Sequence, residues 1–95
     1  MNTELEKFIK VYLDYDQAYD TSGTLRPTLY VFKPEYVERV REGLATVLRD
    51  RPLSTADYER ITDIEFESDE VLYSYLRDMY RYLFENGTAQ PMPPE

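Results

Sequence analysis

The sequence predicts an all-α protein, built as an irregular bundle of three to five helices. Apolar residues recur at helical spacing in three separate segments, and each segment starts at or near a residue that favours a helix start. The two short segments with strand character, 29–32 and 63–67, either lack a partner strand or lie between two helix signals. Its 95 residues suit one domain, which we place at 1–87, followed by a proline-containing tail at 88–95 that we expect to be mobile.

The first helix is predicted from the capping-box spacing of Thr3 and Glu6. Its apolar face consists of Leu5, Phe8, Ile9, Tyr12 and Leu13. The pattern fades over 14–20, and 21–24 has the composition of a loop. The segment 29–32 carries the β-branched and aromatic residues of a strand, although Pro27 could equally occupy the first position of a short helix. We favour a helical turn or an extended loop there.

Two longer helices and one short helix are predicted after that segment. The second helix begins at Pro34, and its apolar stripe consists of Val37, Val40, Leu44, Val47 and Leu48. Ser54, with Asp57 three residues later, is the expected N-cap of a short third helix. Ser68 is the expected cap of the last helix, whose core face holds Leu72, Tyr75, Leu76, Met79 and Leu83. The Asn-Gly pair at 86–87 is typical of a helix stop.

The composition makes most enzyme classes improbable. The chain has no cysteine and no histidine, which removes thiolate nucleophiles, disulfides, the commonest general base and the commonest metal ligand. Nineteen acidic residues against eleven basic ones give a net charge of −8, so nucleic acids and anionic membranes should repel the chain. We therefore expect a non-enzymatic protein without a cofactor, whose natural partner is a basic protein. No signal peptide or membrane-spanning run is visible, and the expected location is the cytoplasm.

Two motifs suggest chemistry that the remaining residues do not support. Asp14, Asp16 and Asp20 resemble the start of a calcium loop, but the fifth residue counted from Asp14 is Ala18 and the twelfth is Leu25, where oxygen ligands are needed. Basic and aromatic residues interleave over 75–82, as they do in proteins that stack nucleic-acid bases, but the net negative charge opposes such binding and Tyr75 falls on the predicted core face. We therefore expect no metal site and no bound nucleic acid.

Acidic residues are concentrated in two segments. Seven acids and a single base, Arg60, lie between 57 and 70; the acids are Asp57, Glu59, Asp63, Glu65, Glu67, Asp69 and Glu70. Three more acids and no base lie between 11 and 25; these are Asp14, Asp16 and Asp20. The preference of acids for helix N-termini and the need for solubility explain some of them well, but explain Glu65, Glu67 and Asp16 less well. The two segments therefore form either a contact surface for a basic partner or a solvated surface that maintains solubility.

Tyrosine is the second unusual feature, with ten residues in 95 and no tryptophan. Tyrosine is enriched at interfaces because its ring can be buried while its hydroxyl stays in water. Three tyrosines, at positions 12, 58 and 75, fall on predicted core faces. Four others lie off those faces beside acids or arginines: Tyr15, Tyr19, Tyr73 and Tyr80. Of these, we expect Tyr15 and Tyr19 to anchor a partner.

The order of these features resembles a family of small acidic helical immunity proteins from bacterial contact-dependent growth inhibition systems. The resemblance rests on the aromatic and aspartate residues of 8–16 and 19–21, a helix over 42–48, the stop at 51–54, a helix over 58–61, and the Tyr75-Leu76 pair in the last helix. The family tends to have a Phe-His-Gln run in place of 13–15 and tryptophan in place of Tyr75. The resemblance implies an all-α fold and the neutralisation of a co-inherited toxin domain, often a nuclease, with no catalytic residues.

We therefore predict an immunity protein that binds a basic toxin domain through the two acidic segments and the tyrosines beside them. The protein is expected to be a monomer or a weak homodimer. Two alternatives remain open: an acidic nucleic-acid mimic or phage-type inhibitor of a DNA-binding protein, and a non-catalytic adaptor or assembly subunit.

Overall fold

The computed structural model describes all 95 residues and contains five helices and no strand. In chain order they are α1 (Thr3–Tyr12), α2 (Leu25–Val31), α3 (Pro34–Asp50), α4 (Thr55–Thr62) and α5 (Asp69–Phe84). Helix α1 packs against α3 and α4, and α3 also contacts α2 and α5. The predicted all-α bundle of three to five helices is thus confirmed. None of these helices combines the length and the apolar character that crossing a bilayer requires.

One apolar cluster of 21 buried residues forms the core, and α5 supplies the largest share of it. The buried side chains of α5 are Leu72, Tyr73, Tyr75, Leu76, Met79, Tyr82 and Leu83. This set includes all five residues of the predicted core face. Each fully buried side chain of this size contributes about 1.5–3 kcal/mol to stability, so the fold depends on α5 being covered on several sides.

The start of α1 differs from the prediction. Thr3 is the first helical residue, and the N-cap is Asn2, whose side-chain oxygen accepts a hydrogen bond from the amide of Leu5 at 2.8 Å. The amide nitrogen of the same Asn2 side chain donates to the backbone carbonyl of Arg39 on α3 at 2.7 Å. Asn2 therefore caps α1 and also joins it to α3. The spacing of Thr3 and Glu6 does not reveal this tertiary contact.

The ambiguous segment at 29–32 belongs to a short helix, α2. Leu25 and Leu29, one turn apart, are both buried, and Pro27 is the third helical residue rather than the first. The guanidinium of Arg26 donates to the carbonyls of Tyr82 at 2.9 Å and Gly87 at 3.1 Å, where α5 ends. These contacts hold α2 against α5. The segment is therefore helical because residues far away in the sequence stabilise it.

The other helix starts agree with the sequence signals. Pro34 is the first residue of α3, whose capping residue is Lys33. Ser54 and Asp57 form a complete capping box at α4, and the hydroxyl of Ser68 accepts from the amide of Val71 at the start of α5. These positions were predictable because a cap depends on residues within one turn of it.

The connection between α4 and α5 forms neither a helix nor a strand. Asp63 ends α4 in a left-handed conformation, with φ of 62°. Ile64 and Phe66 are buried, while Glu65 and Glu67 are exposed. The alternation of polar and apolar residues that suggested a strand therefore belongs to an irregular connection, in which every second side chain enters the core.

Tyr73 was expected on the surface but is 2% exposed. Its hydroxyl donates to the carbonyl of Leu53 and accepts from the amide of Leu53, both at 2.9 Å. The guanidinium of Arg51 lies 4.5 Å from the ring centre. The loop between α3 and α4 thus covers a side of α5 that helical periodicity alone left exposed.

The tail at 88–95, expected to be mobile, lies against the domain. Pro93 is buried, and the hydroxyl of Tyr19 donates to the carbonyl of Pro94. The side-chain amide of Gln90 donates to the carbonyl of Asp20 at 3.2 Å. Proline fixes its own φ and disfavours the helical conformation of the residue before it, so three prolines within four residues favour a non-helical tail of this kind.

Candidate functional site

The two acidic segments, which are far apart in the sequence, meet in the structure. After α1 the chain makes a turn over 14–19, and the amide of Tyr15 donates to the carbonyl of Thr62 at the end of α4, at 2.8 Å. Ala18 is fully buried beneath this turn. The segment 14–20, where the helical pattern fades, is therefore an ordered turn docked against the end of α4. We call the ten carboxylates of these two segments the acidic surface; they are Asp14, Asp16, Asp20, Asp57, Glu59, Asp63, Glu65, Glu67, Asp69 and Glu70.

Four of the ten carboxylates hold the backbone in place. Asp14 accepts from the amide of Gln17 at 3.0 Å, and Asp20 accepts from the amide of Ser22 at 3.0 Å. Asp69 accepts from the amide of Thr55 at 3.1 Å and so connects the starts of α5 and α4. Asp57 completes the capping box of α4 and also pairs with Arg60 at 2.8 Å. These four side chains shape the surface, because most of their oxygens are directed to local donors.

The other six carboxylates of the acidic surface have no partner within the chain. They are exposed and take part in no ion pair or side-chain hydrogen bond; they are Asp16, Glu59, Asp63, Glu65, Glu67 and Glu70. Elsewhere in the chain, five of the nine remaining acids pair with arginine: Glu4, Glu38, Glu42, Asp50 and Asp78. The net negative charge of the protein is therefore least compensated on this surface, where a cationic partner would gain most.

Two tyrosines, Tyr15 and Tyr19, lie within the 14–20 segment of the acidic surface. Tyr15 is 61% exposed and packs edge-to-face against Tyr19, with 5.7 Å between ring centres. Tyr19 is half-buried; burial, together with nearby Tyr15 and Glu95, raises the pKa of its hydroxyl. Tyr15 is the ring available to a partner, whereas Tyr19 supports it. Tyr80, the fourth tyrosine off the predicted core faces, is half-buried against Phe84 on α5.

No three carboxylates converge on a point where they could hold a metal ion. The largest cavity, of about 610 Å³, is lined by Arg26, Tyr30 and Tyr82 together with loop and tail residues. Its only charged side chain, Arg26, already binds two backbone carbonyls and lies 4.3 Å from the centre of the Tyr82 ring. The cavity thus contains neither a paired acid and base nor an activated nucleophile, which the common mechanisms of hydrolysis use.

Sequence reasoning missed a cleft that adjoins the acidic surface. The cleft lies between α5 and the tail, has a volume of about 540 Å³, and is lined in part by Phe66, Val71 and Met92. The proline content of the tail is the only signal in the sequence that bears on it, and that signal does not say where the tail lies.

The role of Asp57 in the scaffold leads to a prediction about pH. The Arg60 guanidinium, followed by the amide and hydroxyl of Ser54, holds the pKa of Asp57 below its usual range. A carboxyl whose pKa is lower in the folded state stabilises the fold above the unfolded pKa of about 3.9, and this stabilisation is lost as pH falls through the folded value. Asp57→Asn should therefore lower the melting temperature at neutral pH, and the difference from the wild type should shrink in acid.

Thermal unfolding of both proteins between about pH 7 and pH 2 would measure this difference. Glu59→Gln is the matched control, because Glu59 lies on the same helix, is exposed and has no partner. A difference between Asp57→Asn and the wild type that stays constant in acid would show that shape, rather than charge, accounts for the effect of Asp57.

Comparison of the chain with protein-family models, with curated proteins and with solved structures finds no match. The functional assignment therefore depends on the composition, the geometry and the resemblance described above.

Proposed function

We propose that this protein is an immunity protein that binds and neutralises a cognate bacterial toxin domain in the cytoplasm, with a nuclease as the expected toxin class. The observation that carries the proposal is that six carboxylates of the acidic surface are exposed and have no partner within the chain, while Tyr15 of the same surface segments is also exposed. Nucleases present basic surfaces to phosphate, and a complementary acidic surface steers association at up to about 10⁸–10⁹ M⁻¹s⁻¹ at low salt. The inhibitor needs no catalytic group and no cofactor for this role.

The carboxylates of the acidic surface fall into two groups, and this difference supports a role in binding. Asp14, Asp20, Asp57 and Asp69 hold the backbone, while the unpartnered acids extend outward from it. Buried Ile64 and Phe66 anchor the connection that presents Glu65 and Glu67. A surface that is rigid before binding loses little conformational entropy when the partner arrives.

The decisive experiment uses the protein encoded immediately upstream in the source DNA. Its C-terminal domain is expressed alone and together with this chain, and growth and co-purification are recorded. We expect toxicity alone, rescue by this chain and a 1:1 complex. A harmless neighbour, or toxicity that this chain does not relieve, would refute the proposal. Capture of several unrelated basic proteins would favour the nucleic-acid mimic instead.

Reversal of two charges on the acidic surface tests which residues bind. Glu65→Lys combined with Glu67→Lys should slow association with the toxin domain about tenfold or more at low salt, and should also speed dissociation. The melting temperature should hardly change, because exposed substitutions usually alter stability by no more than about 0.5 kcal/mol. Binding kinetics at two salt concentrations provide the measurement.

The matched control is Glu6→Lys combined with Glu85→Lys. Both residues are exposed and unpaired, and both lie outside the acidic surface. The control changes net charge by the same amount, so a local interface predicts a much smaller loss of affinity. Equal losses for the two pairs would mean that only the overall charge of the protein matters.

A further inference from the structure

The cleft between α5 and the tail has an apolar floor and two defined walls. Phe66 and Tyr75, which are 3% and 5% exposed, line it together with residues of α5 and of the tail. From α5 come Glu70, Val71, Ser74 and Asp78, and from the tail come Pro91, Met92 and Pro94. Its volume of about 540 Å³ falls within the range of about 300–1,000 Å³ that is typical of ligand pockets.

Apolar surface in this cleft is left uncovered. Only seven large apolar side chains of the protein are exposed, and two of them, Val71 and Met92, line the cleft. Val71 is 37% exposed and Met92 is 50% exposed. A partner side chain placed between them would remove apolar surface from water on both walls, at about 25 cal/mol per Å² buried.

The charges around the cleft select the kind of side chain that would enter it. No basic residue lines it, and Glu70 on the wall is exposed and unpaired. The other carboxylate, Asp78, already pairs with Arg81 at 3.5 Å. Glu70 also belongs to the acidic surface, so the cleft and that surface are continuous. A cation beside the inserted apolar group would therefore be attracted.

The tail wall is held in position before any partner binds. Gln90 and Pro94 are hydrogen-bonded to Asp20 and Tyr19, and Pro93 between them is buried. The prolines restrict the backbone of this wall further. A preformed wall favours binding because little of it has to be ordered at the moment of contact.

We propose that this cleft is the anchor pocket of the interface and binds a large apolar or aromatic side chain that is flanked by lysine or arginine on the partner protein. Interfaces of this kind concentrate their binding energy in a few buried apolar or aromatic anchors surrounded by charge. The inference rests on the proposed function to the extent that it assumes a basic partner. It adds a second anchor point, at which the partner supplies the inserted side chain, whereas at Tyr15 this protein supplies it. It also assigns a binding role to the tail.

The test uses the full chain and two tripeptides, acetylated and amidated at their ends, with the sequences Lys-Trp-Lys and Glu-Trp-Glu. Binding is followed by NMR through the methyl groups of Val71 and Met92. We expect the lysine peptide to bind about tenfold more tightly at low salt, and the ratio to fall as salt is added. Equal binding of the two peptides, or shifts confined to other residues, would overturn the proposal.

Variants separate the apolar contribution from the charge. Met92→Ser should weaken the lysine peptide about fivefold, whereas Thr88→Ser, in the same tail but outside the cleft, should have no effect. Glu70→Gln should remove most of the preference for the lysine peptide, whereas Glu6→Gln, at an exposed position outside the acidic surface, should keep it. Unchanged binding by Met92→Ser would show that the tail is not part of the site.

The outcome of the peptide test is independent of the outcome of the toxin experiment. If the toxin is neutralised but neither peptide binds, the cleft proposal is wrong and the immunity proposal stands. If the lysine peptide binds as expected but no toxin is neutralised, the cleft remains a docking site and the immunity function is refuted.

Discussion

Tyr73→Phe is expected to destabilise the protein by about 2–4 kcal/mol, because it removes the only hydrogen-bond partner of two buried backbone groups. The hydroxyl of Tyr73 both donates to and accepts from Leu53, at 2.9 Å in each direction. Phenylalanine would fill the same space but would leave the amide and the carbonyl of Leu53 unpaired. In a domain of this size the melting temperature should fall by about 10 °C or more.

Tyr75→Phe provides a matched control, since it deletes the same atom two residues further along the same helix. Tyr75 is 5% exposed, and its hydroxyl lies near that of Tyr58 without forming a hydrogen bond of normal geometry, so its removal should cost far less than removal of the Tyr73 hydroxyl. Tyr73→Phe and Tyr75→Phe are thus the same chemical change at two positions with nearly equal exposure. Similar losses at both positions would mean that packing around the ring, rather than the bonds to Leu53, explains the effect of Tyr73.

Alkaline pH adds a second measurement to this comparison. Burial raises the pKa of Tyr75. A group whose folded pKa is raised contributes stability that is present below the unfolded pKa, about 10 for tyrosine, and is lost as pH rises further. Tyr75→Phe should therefore become more stable than the wild type as pH increases above about 10.

The contrast between these two tyrosines shows what the sequence can and cannot predict. The core face of α5 was predictable because Leu72, Tyr75 and Leu76 follow the helical repeat. Tyr73 lies off that repeat, and it is buried because the loop after α3 passes over it. That contact joins residues 20 positions apart, so no local pattern could reveal it.

The site was predictable to a similar degree. The sequence identifies the acidic segments because their charge is a matter of composition. It does not distinguish Asp69, which holds the amide of Thr55, from Glu65, which has no partner, since that distinction depends on the folded backbone. The docking of the 14–19 turn beside α4 and the position of the tail depend equally on tertiary contacts. Local signals thus define the helices and the available charge, while the fold decides which charges are free to bind.

Phe66→Ala is expected to be the most damaging single substitution in the segment that presents the acidic surface. The ring is 3% exposed, and its centre lies 5.5 Å from that of Tyr58 on α4 and 5.3 Å from that of Tyr75 on α5. Truncation would leave a cavity between the two helices at a cost of about 3–5 kcal/mol. This is a large part of the total stability of about 5–15 kcal/mol that a domain typically has.

Glu65→Ala, at the adjacent exposed position, serves as the control and should change the free energy of unfolding by about 0.5 kcal/mol or less. Chemical denaturation of the two variants measures the difference.

If buried Phe66 anchors the connection at 63–67, Phe66→Ala should also reduce toxin binding. Every carboxylate remains in the chain, but Glu65 and Glu67 lose the fixed backbone that presents them. A Phe66→Ala protein that keeps its stability would show that the connection does not need this anchor. A destabilised protein that still binds at the wild-type rate would show that charge alone, without its rigid presentation, is sufficient for recognition.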